Sequence, residues 1–181
     1  MTTAAEHPRS SFASVIEFVL MLAAAVVLAT LLRTFVVEPF RIPSGSMIPA
    51  IEIGDQVIVN KFVYRFGTPR YGDVVILDDP TGETPMLIKR VIAVGGQSVD
   101  VRDGKVWVDG EALTEPYTYG QPNLPGSVTL PITLPADTVW VMGDNRMHSK
   151  DSRWLGPQPF SAVHGRAFVT YWPPGRLGPL K

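Results

Sequence analysis

Two serines lie two positions apart in the sequence FRIPSGSMIPAI, residues 40–51. Ser44 and Ser46 are separated by Gly45 and enclosed by two prolines. Because proline fixes the backbone and glycine frees it, this segment is expected to be irregular rather than helical or extended. A serine hydroxyl becomes an effective nucleophile only where a neighbouring base accepts its proton. The sequence must therefore also supply a base.

Histidine is the first candidate for this base, and it occurs three times. His7 precedes a long apolar segment that would separate it from the serines, whereas His148 and His164 follow that segment. No serine lies in a G-x-S-x-G nucleophile elbow. A Ser-His-Asp triad that combines Ser46 with one of the two later histidines remains an alternative.

Lysine is the second candidate, provided that burial lowers its pKa from about 10.4 so that the amine can be neutral. Lys89 lies in MLIKRVIAV, where strand alternation places Leu87, Lys89 and Val91 on one face. The alternative is a half-exposed strand from which Lys89 extends into solvent beside Arg90, and periodicity alone favours neither interpretation. The remaining lysines lie beside turns, in polar loops or at the terminus: Lys61, Lys105, Lys150 and Lys181.

A third polar segment, MGDNRMHSKDSRWLG, spans residues 142–156. Its glycine, asparagine, serines and alternating Asp and Arg residues suit a loop that supports a site through hydrogen bonds and an ion pair. A plain surface loop would also be polar, so this segment by itself is weak support for a site.

Taken in order, these segments resemble the motifs of the bacterial type I signal peptidases. The family pattern is a membrane anchor, P-S-G-S-M-x-P, G-D-hydrophobic, a K-R-V strand with a following glycine turn, and G-D-N-R-x-x-S-x-D-S-R. The corresponding residues here are 43–49, 72–74, 89–91 and 143–153. The resemblance covers almost the whole chain, from the apolar segment to GRAFVTYW, and its first and last motifs are highly specific.

The resemblance implies a serine–lysine dyad in which Ser46 is the nucleophile and Lys89 the general base. It assigns the Ser44 hydroxyl and the backbone N–H of Ser46 to the oxyanion hole, where each donor typically lowers the barrier by about 3–4 kcal/mol. The lysine also separates this chain from the endoplasmic-reticulum and archaeal-type relatives, which use histidine. No metal or cofactor is expected, because a neutral amine and two hydrogen-bond donors suffice for acyl transfer.

The resemblance also assigns supporting roles in the third segment. Ser149 matches the residue that hydrogen-bonds the lysine amine, Asp151 and Arg153 match a supporting ion pair, and Gly143 and Asn145 shape the loop. The chain departs from the common family pattern at three places, which are Met147-His148, Gly95-Gly96-Gln97 and Leu87.

Residues 15–32, VIEFVLMLAAAVVLATLL, are apolar except for Glu17 and Thr30. As a helix they would extend over roughly 27 Å, close to the bilayer core of about 30 Å. A buried core helix is the first alternative, but a small chain has no place for a helix that is apolar on all sides. A cleaved secretory signal is the second, but the segment is long for one and no small-x-small site follows it. We therefore expect an uncleaved membrane anchor.

The predicted organisation is a tail at 1–13, a transmembrane helix at 14–33 and a β-rich catalytic domain at 34–181. Short strands predict a mostly β fold of antiparallel sheets, sandwich-like or barrel-like, with a hairpin and a proline-rich excursion at about 97–136. The net charge of −1 gives no indication of nucleic-acid binding, and the absence of cysteine excludes disulfides and thiolate catalysis.

The resemblance predicts the partners and the location. The expected substrates are preprotein signal peptides, cut after small residues at positions −3 and −1. The expected location is the cell membrane, with a single span, contact with the lipid bilayer and the catalytic domain on the exocytoplasmic side. Flanking charges are too few to set this orientation. Ser46 lies fourteen positions after Leu32, which keeps the serine within roughly 50 Å of the membrane. We expect a monomer.

Two other functions remain as alternatives. Self-cleaving repressors also use a serine–lysine pair, but they carry a DNA-binding helical module where this chain has an apolar segment. A non-catalytic, membrane-anchored β domain would not need Ser46, Lys89, Ser44 and Ser149 together. A β-lactamase-type site would need S-x-x-K, which the sequence does not contain.

Overall fold

The computed structural model describes residues 11–180 and divides the chain after Val36 into two compact units. The first unit contains helix α1 (Ser11–Phe35). Within it, Ser14–Leu31 has a mean hydropathy of 2.4, and by length and composition it can cross a membrane. The predicted helix at 14–33 lies inside α1. Of the predicted tail, residues 1–10 lie outside the described residues, and α1 includes 11–13.

The second unit consists mainly of β-strands, as the short alternating apolar segments predict. In the described residues the strands are β1 (Val37–Arg41), β2 (Gln56–Asn60), β3 (Val74–Asp78), β4 (Met86–Val94), β5 (Ser98–Arg102), β6 (Lys105–Val108), β7 (Glu111–Ala112), β8 (Ile132–Thr133), β9 (Thr138–Met142), β10 (Gln158–Pro159), β11 (Val163–Trp172) and β12 (Gly178–Pro179). One short helix, α2 (Ser152–Leu155), follows β9.

The strands form two sheets in which every described pairing is antiparallel. The main sheet has eight strands in the order β1-β2-β11-β3-β4-β9-β10, with β12 against β11. The second sheet has four strands in the order β7-β6-β5-β8. The predicted fold class, mostly antiparallel β, is confirmed.

Two local features differ from the predicted strands. Strand β1 was not predicted, and it pairs with the whole of β2. The strand predicted over residues 55–64 ends at Asn60, because the Asn60 side chain accepts hydrogen bonds from the backbone N–H groups of Phe62 and Val63. This side-chain turn competes with extension of the strand.

The irregular serine segment is anchored in the core by apolar side chains on either side of Ser46. Ile42, Met47 and Ile51 are fully buried in one cluster with residues of β2, β3 and β4. Backbone hydrogen bonds also hold the segment, among them Ile51 N–H to the Met47 carbonyl at 2.9 Å. Buried neighbours therefore fix the position of a backbone that is neither helix nor strand.

The predicted hairpin and proline-rich excursion lie between β4 and β9. Strands β5 and β6 are joined by Asp103 and Gly104, which both have positive φ angles, 52° and 72°. This is the conformation of a type I′ turn, which Asp-Gly favours. The proline-rich residues 115–135 include one turn of 3₁₀ helix at Pro116–Thr118 and strand β8.

Candidate active site

An open cleft of about 340 Å³ contains the two residues predicted to react. Ser44, Ser46 and Lys89 line it together with Leu87 of β4. Ser44 is exposed, whereas Ser46 is only 7% exposed. The structure therefore brings the serine pair and the strand lysine to one cavity that is accessible from solvent.

The side chains of Ser46 and Lys89 are in direct contact. Lys89 Nζ lies 2.8 Å from Ser46 Oγ and 2.9 Å from the carbonyl oxygen of Ile88. Lys89 lies in the buried middle of β4, opposite Val75 of β3, and is 2% exposed. Of the two interpretations of Lys89, the structure supports the buried one.

Burial lowers the pKa of Lys89 to about 8, although the carboxylates of Asp151, Asp79 and Asp144 oppose this shift. Desolvation disfavours the charged form of an amine, so the neutral form becomes accessible near neutral pH. A neutral amine at hydrogen-bond distance from a hydroxyl is the arrangement required for proton abstraction from serine.

Asn145 and Gly143 hold the backbone around Ser46. The N–H of Asn145 donates to the Ser46 carbonyl, and its side-chain amide donates to the Gly45 carbonyl, each at 3.0 Å. A Cβ on Gly143 would lie 2.5 Å from the Ser46 carbonyl oxygen and 2.5 Å from Ser149 Cβ. Only glycine leaves room for this close approach.

Asp151 and Arg153 form the predicted ion pair. Arg153 Nε lies 2.8 Å and Nη2 2.9 Å from the two carboxylate oxygens, and both residues are almost fully buried. Asp151 also caps α2 and accepts a hydrogen bond from the Gly143 N–H at 3.0 Å. The pair therefore fixes the glycine that contacts Ser46.

Ser149 differs from its predicted role. Its hydroxyl is buried and has no hydrogen-bond partner, so the hydrogen bond to the lysine amine is not present. Ser149 nevertheless lies against the same glycine, Gly143, that contacts Ser46. Lys89 instead directs its second hydrogen bond to the carbonyl of Ile88.

The two later histidines are not placed as bases for Ser46. His148 lies at the cleft, but its Nδ1 is 3.2 Å from Asn145 Oδ1. His164 Nε2 is 2.7 Å from Asp78 Oδ1 on an exposed part of the sheet. Because Ser46 is hydrogen-bonded to Lys89, the histidine triad is not supported.

Two further buried ion pairs were not predicted from the sequence. Arg90 contacts both carboxylate oxygens of Asp144, at 2.8 and 2.6 Å. Arg146 contacts both carboxylate oxygens of Glu115, at 2.8 and 2.6 Å. Three of these residues belong to the K-R-V and G-D-N-R motifs, whereas Glu115 lies in the proline-rich excursion. The motifs could have drawn attention to the three residues that belong to them, whereas no local pattern points to Glu115.

Comparisons with known proteins find similar sequences over almost the whole chain. Residues 15–172 match the family model described as "Signal peptidase, peptidase S26". The chain belongs to this family. It is 39% identical to signal peptidase I of Leptolyngbya laminosa, covering 98% of this chain and 89% of the relative. It is 35% identical to signal peptidase I of Mycobacterium tuberculosis, covering 97% of this chain and 79% of the relative.

A solved structure of a signal peptidase I from Enterococcus faecalis is also similar, with a TM-score of 0.49 and 25% identity. The match covers 55% of this chain and 97% of that chain.

Proposed function

We propose that the chain is a serine endopeptidase that removes signal peptides from exported preproteins and cuts after small residues at positions −3 and −1. The observation that carries the proposal is the 2.8 Å contact between Ser46 Oγ and a buried Lys89 whose pKa is lowered. Family membership and the names of the relatives support the substrate class.

The reaction begins with proton transfer from Ser46 Oγ to the neutral Nζ of Lys89. The oxygen attacks the carbonyl carbon of the scissile peptide and forms a tetrahedral intermediate with a negatively charged oxygen. The Ser44 hydroxyl and the Ser46 N–H are proposed to donate hydrogen bonds to this oxygen. The position of Ser44 supports this role, because Ser44 lines the same cleft as Ser46.

The protonated Lys89 then donates its proton to the leaving nitrogen, which becomes the new amino terminus of the mature protein. The signal peptide stays bound to Ser46 as an ester. Lys89, neutral again, takes a proton from water, and the resulting attack releases the signal peptide with a free carboxylate and restores the Ser46 hydroxyl.

An open strand edge beside the dyad suits an extended substrate. Strand β9 pairs with β4 only from Arg90 onward, so the described strands leave residues 86–89 open on that edge. The Val91 backbone is hydrogen-bonded to Gly72 and Asp73, the two residues before β3, so alternation along β4 turns the N–H of Ile88 to the opposite, open edge. A peptide could add here as a strand, which would place its carbonyl near Ser46.

The apolar helix α1 supports a membrane-anchored enzyme. We place the residues from 34 onward on the exocytoplasmic side, because exported preproteins emerge there. The lipid bilayer is then a second partner. We propose a monomer that binds no nucleic acid and has a single span.

The test is a cleavage assay on the full chain in detergent with a preprotein that carries an Ala-x-Ala site. Wild type should cut after the −1 alanine, as read by mass spectrometry, whereas Ser46→Ala and Lys89→Ala should be inactive. Lys105→Ala serves as the matched control, because Lys105 is exposed on β6. Near-wild-type cleavage by Lys89→Ala would show that the base is another residue.

A folded wild-type protein that does not cut would instead favour the non-catalytic alternative.

A further inference from the structure

The proline-rich excursion lies outside the main sheet, yet it contacts residues that hold Ser46 and Lys89 in place. We propose that its segment 115–123 positions the dyad and that Glu115 and Tyr117 are positioning residues for catalysis. This inference rests on the proposed function. Neither residue lines the cleft, so neither is assigned a contact with substrate.

Glu115 acts on the serine side of the site through Arg146. The Arg146 side chain is fully buried, and its two hydrogen bonds to Glu115 compensate its charge. Arg146 Nε also donates to the Gly143 carbonyl at 3.0 Å. Gly143 in turn lies against the Ser46 carbonyl. Glu115 is therefore connected to the nucleophile through two intermediate residues.

Asn123 adds a second connection from the same segment. Its side-chain oxygen accepts a hydrogen bond from Arg146, and its amide nitrogen donates to Glu115 at 3.3 Å. The same amide and the Asn123 N–H donate to the Gly104 carbonyl in the β5–β6 turn. The turn of the hairpin thus also holds the segment.

Tyr117 acts on the lysine side of the site through Arg90. The Arg90 guanidinium lies over the Tyr117 ring, 4.2 Å from its centroid. Arg90 follows Lys89 in β4, and it also contacts Asp144 and the Gly72 carbonyl. A ring on one face and a carboxylate at the edge restrict the guanidinium to one orientation. Because Arg90 is covalently next to Lys89, the fixed guanidinium also fixes the part of β4 that carries Lys89, the general base.

The two positioning residues are coupled. The Tyr117 hydroxyl donates to Glu115 at 3.0 Å, and its ring lies 5.8 Å from the Arg146 guanidinium. Burial and the Glu115 charge raise the pKa of Tyr117, so this hydroxyl remains a donor at neutral pH. One short segment therefore holds the strand of Lys89 and the loop behind Ser46 in a single arrangement. A small displacement of reacting groups typically costs about 10²-fold in rate.

The experiment compares four variants of the full chain in detergent: Glu115→Gln, Tyr117→Leu, Tyr117→Phe and Glu111→Gln. Tyr117→Phe retains the ring over Arg90 and loses only the hydroxyl. Glu111→Gln removes the same charge from an exposed residue of β7 and is the matched control. Active sites are counted by reaction of Ser46 with a serine-directed probe, and kcat is expressed per counted site.

We expect kcat per site to fall at least tenfold in Glu115→Gln and Tyr117→Leu while KM stays within about twofold, because the cleft is unchanged. Tyr117→Phe should recover most of the loss, and Glu111→Gln should match wild type. A merely structural role would lower the number of counted sites and leave kcat per site unchanged.

The proposal would be overturned by wild-type kcat per site in Tyr117→Leu, or by a loss in Tyr117→Phe equal to that in Tyr117→Leu. Should Glu115→Gln fail to fold with Arg146 unpaired, the two Tyr117 variants decide, because they remove no charge. The test is also separable from the proposed function. If wild type does not cut preproteins, the labelling rate of Ser46 still reports the arrangement of the dyad.

Discussion

Lys89 and Ser46 are 43 positions apart in the sequence, yet the lysine Nζ lies 2.8 Å from the serine Oγ. Two separate features create this contact. Buried apolar neighbours hold the irregular serine segment, and the register of β4 against β3 places Lys89 in the buried middle of the sheet. The same burial that positions the amine also lowers its pKa.

The first prediction concerns pH. Because Lys89 must be neutral to accept the Ser46 proton, kcat/KM should rise about tenfold per pH unit below its pKa of about 8 and level off above it. At pH 7 only about a tenth of the free enzyme would be competent. The measurement is the pH profile of preprotein cleavage by wild type, with folding monitored by fluorescence at each pH. A flat profile between pH 6 and 9 would contradict lysine as the base.

The second prediction concerns charge at position 89. Lys89→Arg should be inactive at every pH tested, because a guanidinium does not lose its proton in proteins. Cleavage can be compared with that of Lys105→Arg, which makes the same change at an exposed position of β6. Activity of Lys89→Arg near the wild-type level would remove Lys89 from the mechanism.

The third prediction is that the dyad lysine destabilises the fold. At pH 7 Lys89 is protonated in the folded and unfolded chains, and its lowered pKa means that burial of this charge costs up to about 3 kcal/mol. Lys89→Met should therefore be inactive but more stable at pH 7. As pH rises from about 8 toward 10.4 the folded wild type loses its proton first, so the difference should shrink.

Chemical denaturation of both proteins in detergent at pH 7 and pH 10 measures this difference, with Lys105→Met as the control at an exposed site. A Lys89→Met variant that is less stable than wild type at pH 7 would show that the contacts of the amine outweigh its desolvation.

The fourth prediction tests the close approach at Gly143. Gly143→Ala places a methyl group against the carbonyl of Ser46 and the side chain of Ser149. The serine segment must move, and kcat should fall by about 10²-fold. Gly175→Ala is the matched control, because a Cβ at Gly175 meets nothing within 4 Å. Equal kcat values for the two variants would show that the contact is not needed for catalysis.

Much of this site could be predicted from the sequence, because the deciding information is local. Alternation in MLIKRVIAV predicts a strand, and β4 spans the same residues, Met86–Val94. The two prolines and the glycine around Ser46 predict an irregular segment. The pairing of Ser46 with Lys89 is not local: periodicity alone left it open, and it followed only from the resemblance of the ordered motifs to the signal peptidase family.

The buried ion pairs Arg90–Asp144 and Arg146–Glu115 could not be predicted in the same way. Arg90 and Asp144 are 54 positions apart, and Glu115 and Arg146 are 31 apart. Their pairing depends on where the chain returns after the hairpin and the excursion, which no local pattern specifies. The unpartnered hydroxyl of Ser149 was missed for a related reason, because side-chain orientation depends on the packing around Gly143.

The fifth prediction uses that hydroxyl to separate stability from catalysis. A buried hydroxyl without a partner typically costs about 1–3 kcal/mol, so Ser149→Ala should leave the free energy of unfolding unchanged or raise it. The family resemblance assigns Ser149 a hydrogen bond to the Lys89 amine. If that bond forms once substrate is bound, kcat should still fall clearly. Denaturation and preprotein cleavage are measured on the same preparation, with Ser98→Ala of β5 as a control away from the cleft. Full activity in Ser149→Ala would limit Ser149 to packing against Gly143, whereas a loss of stability would mean that the hydroxyl has a partner in the folded chain.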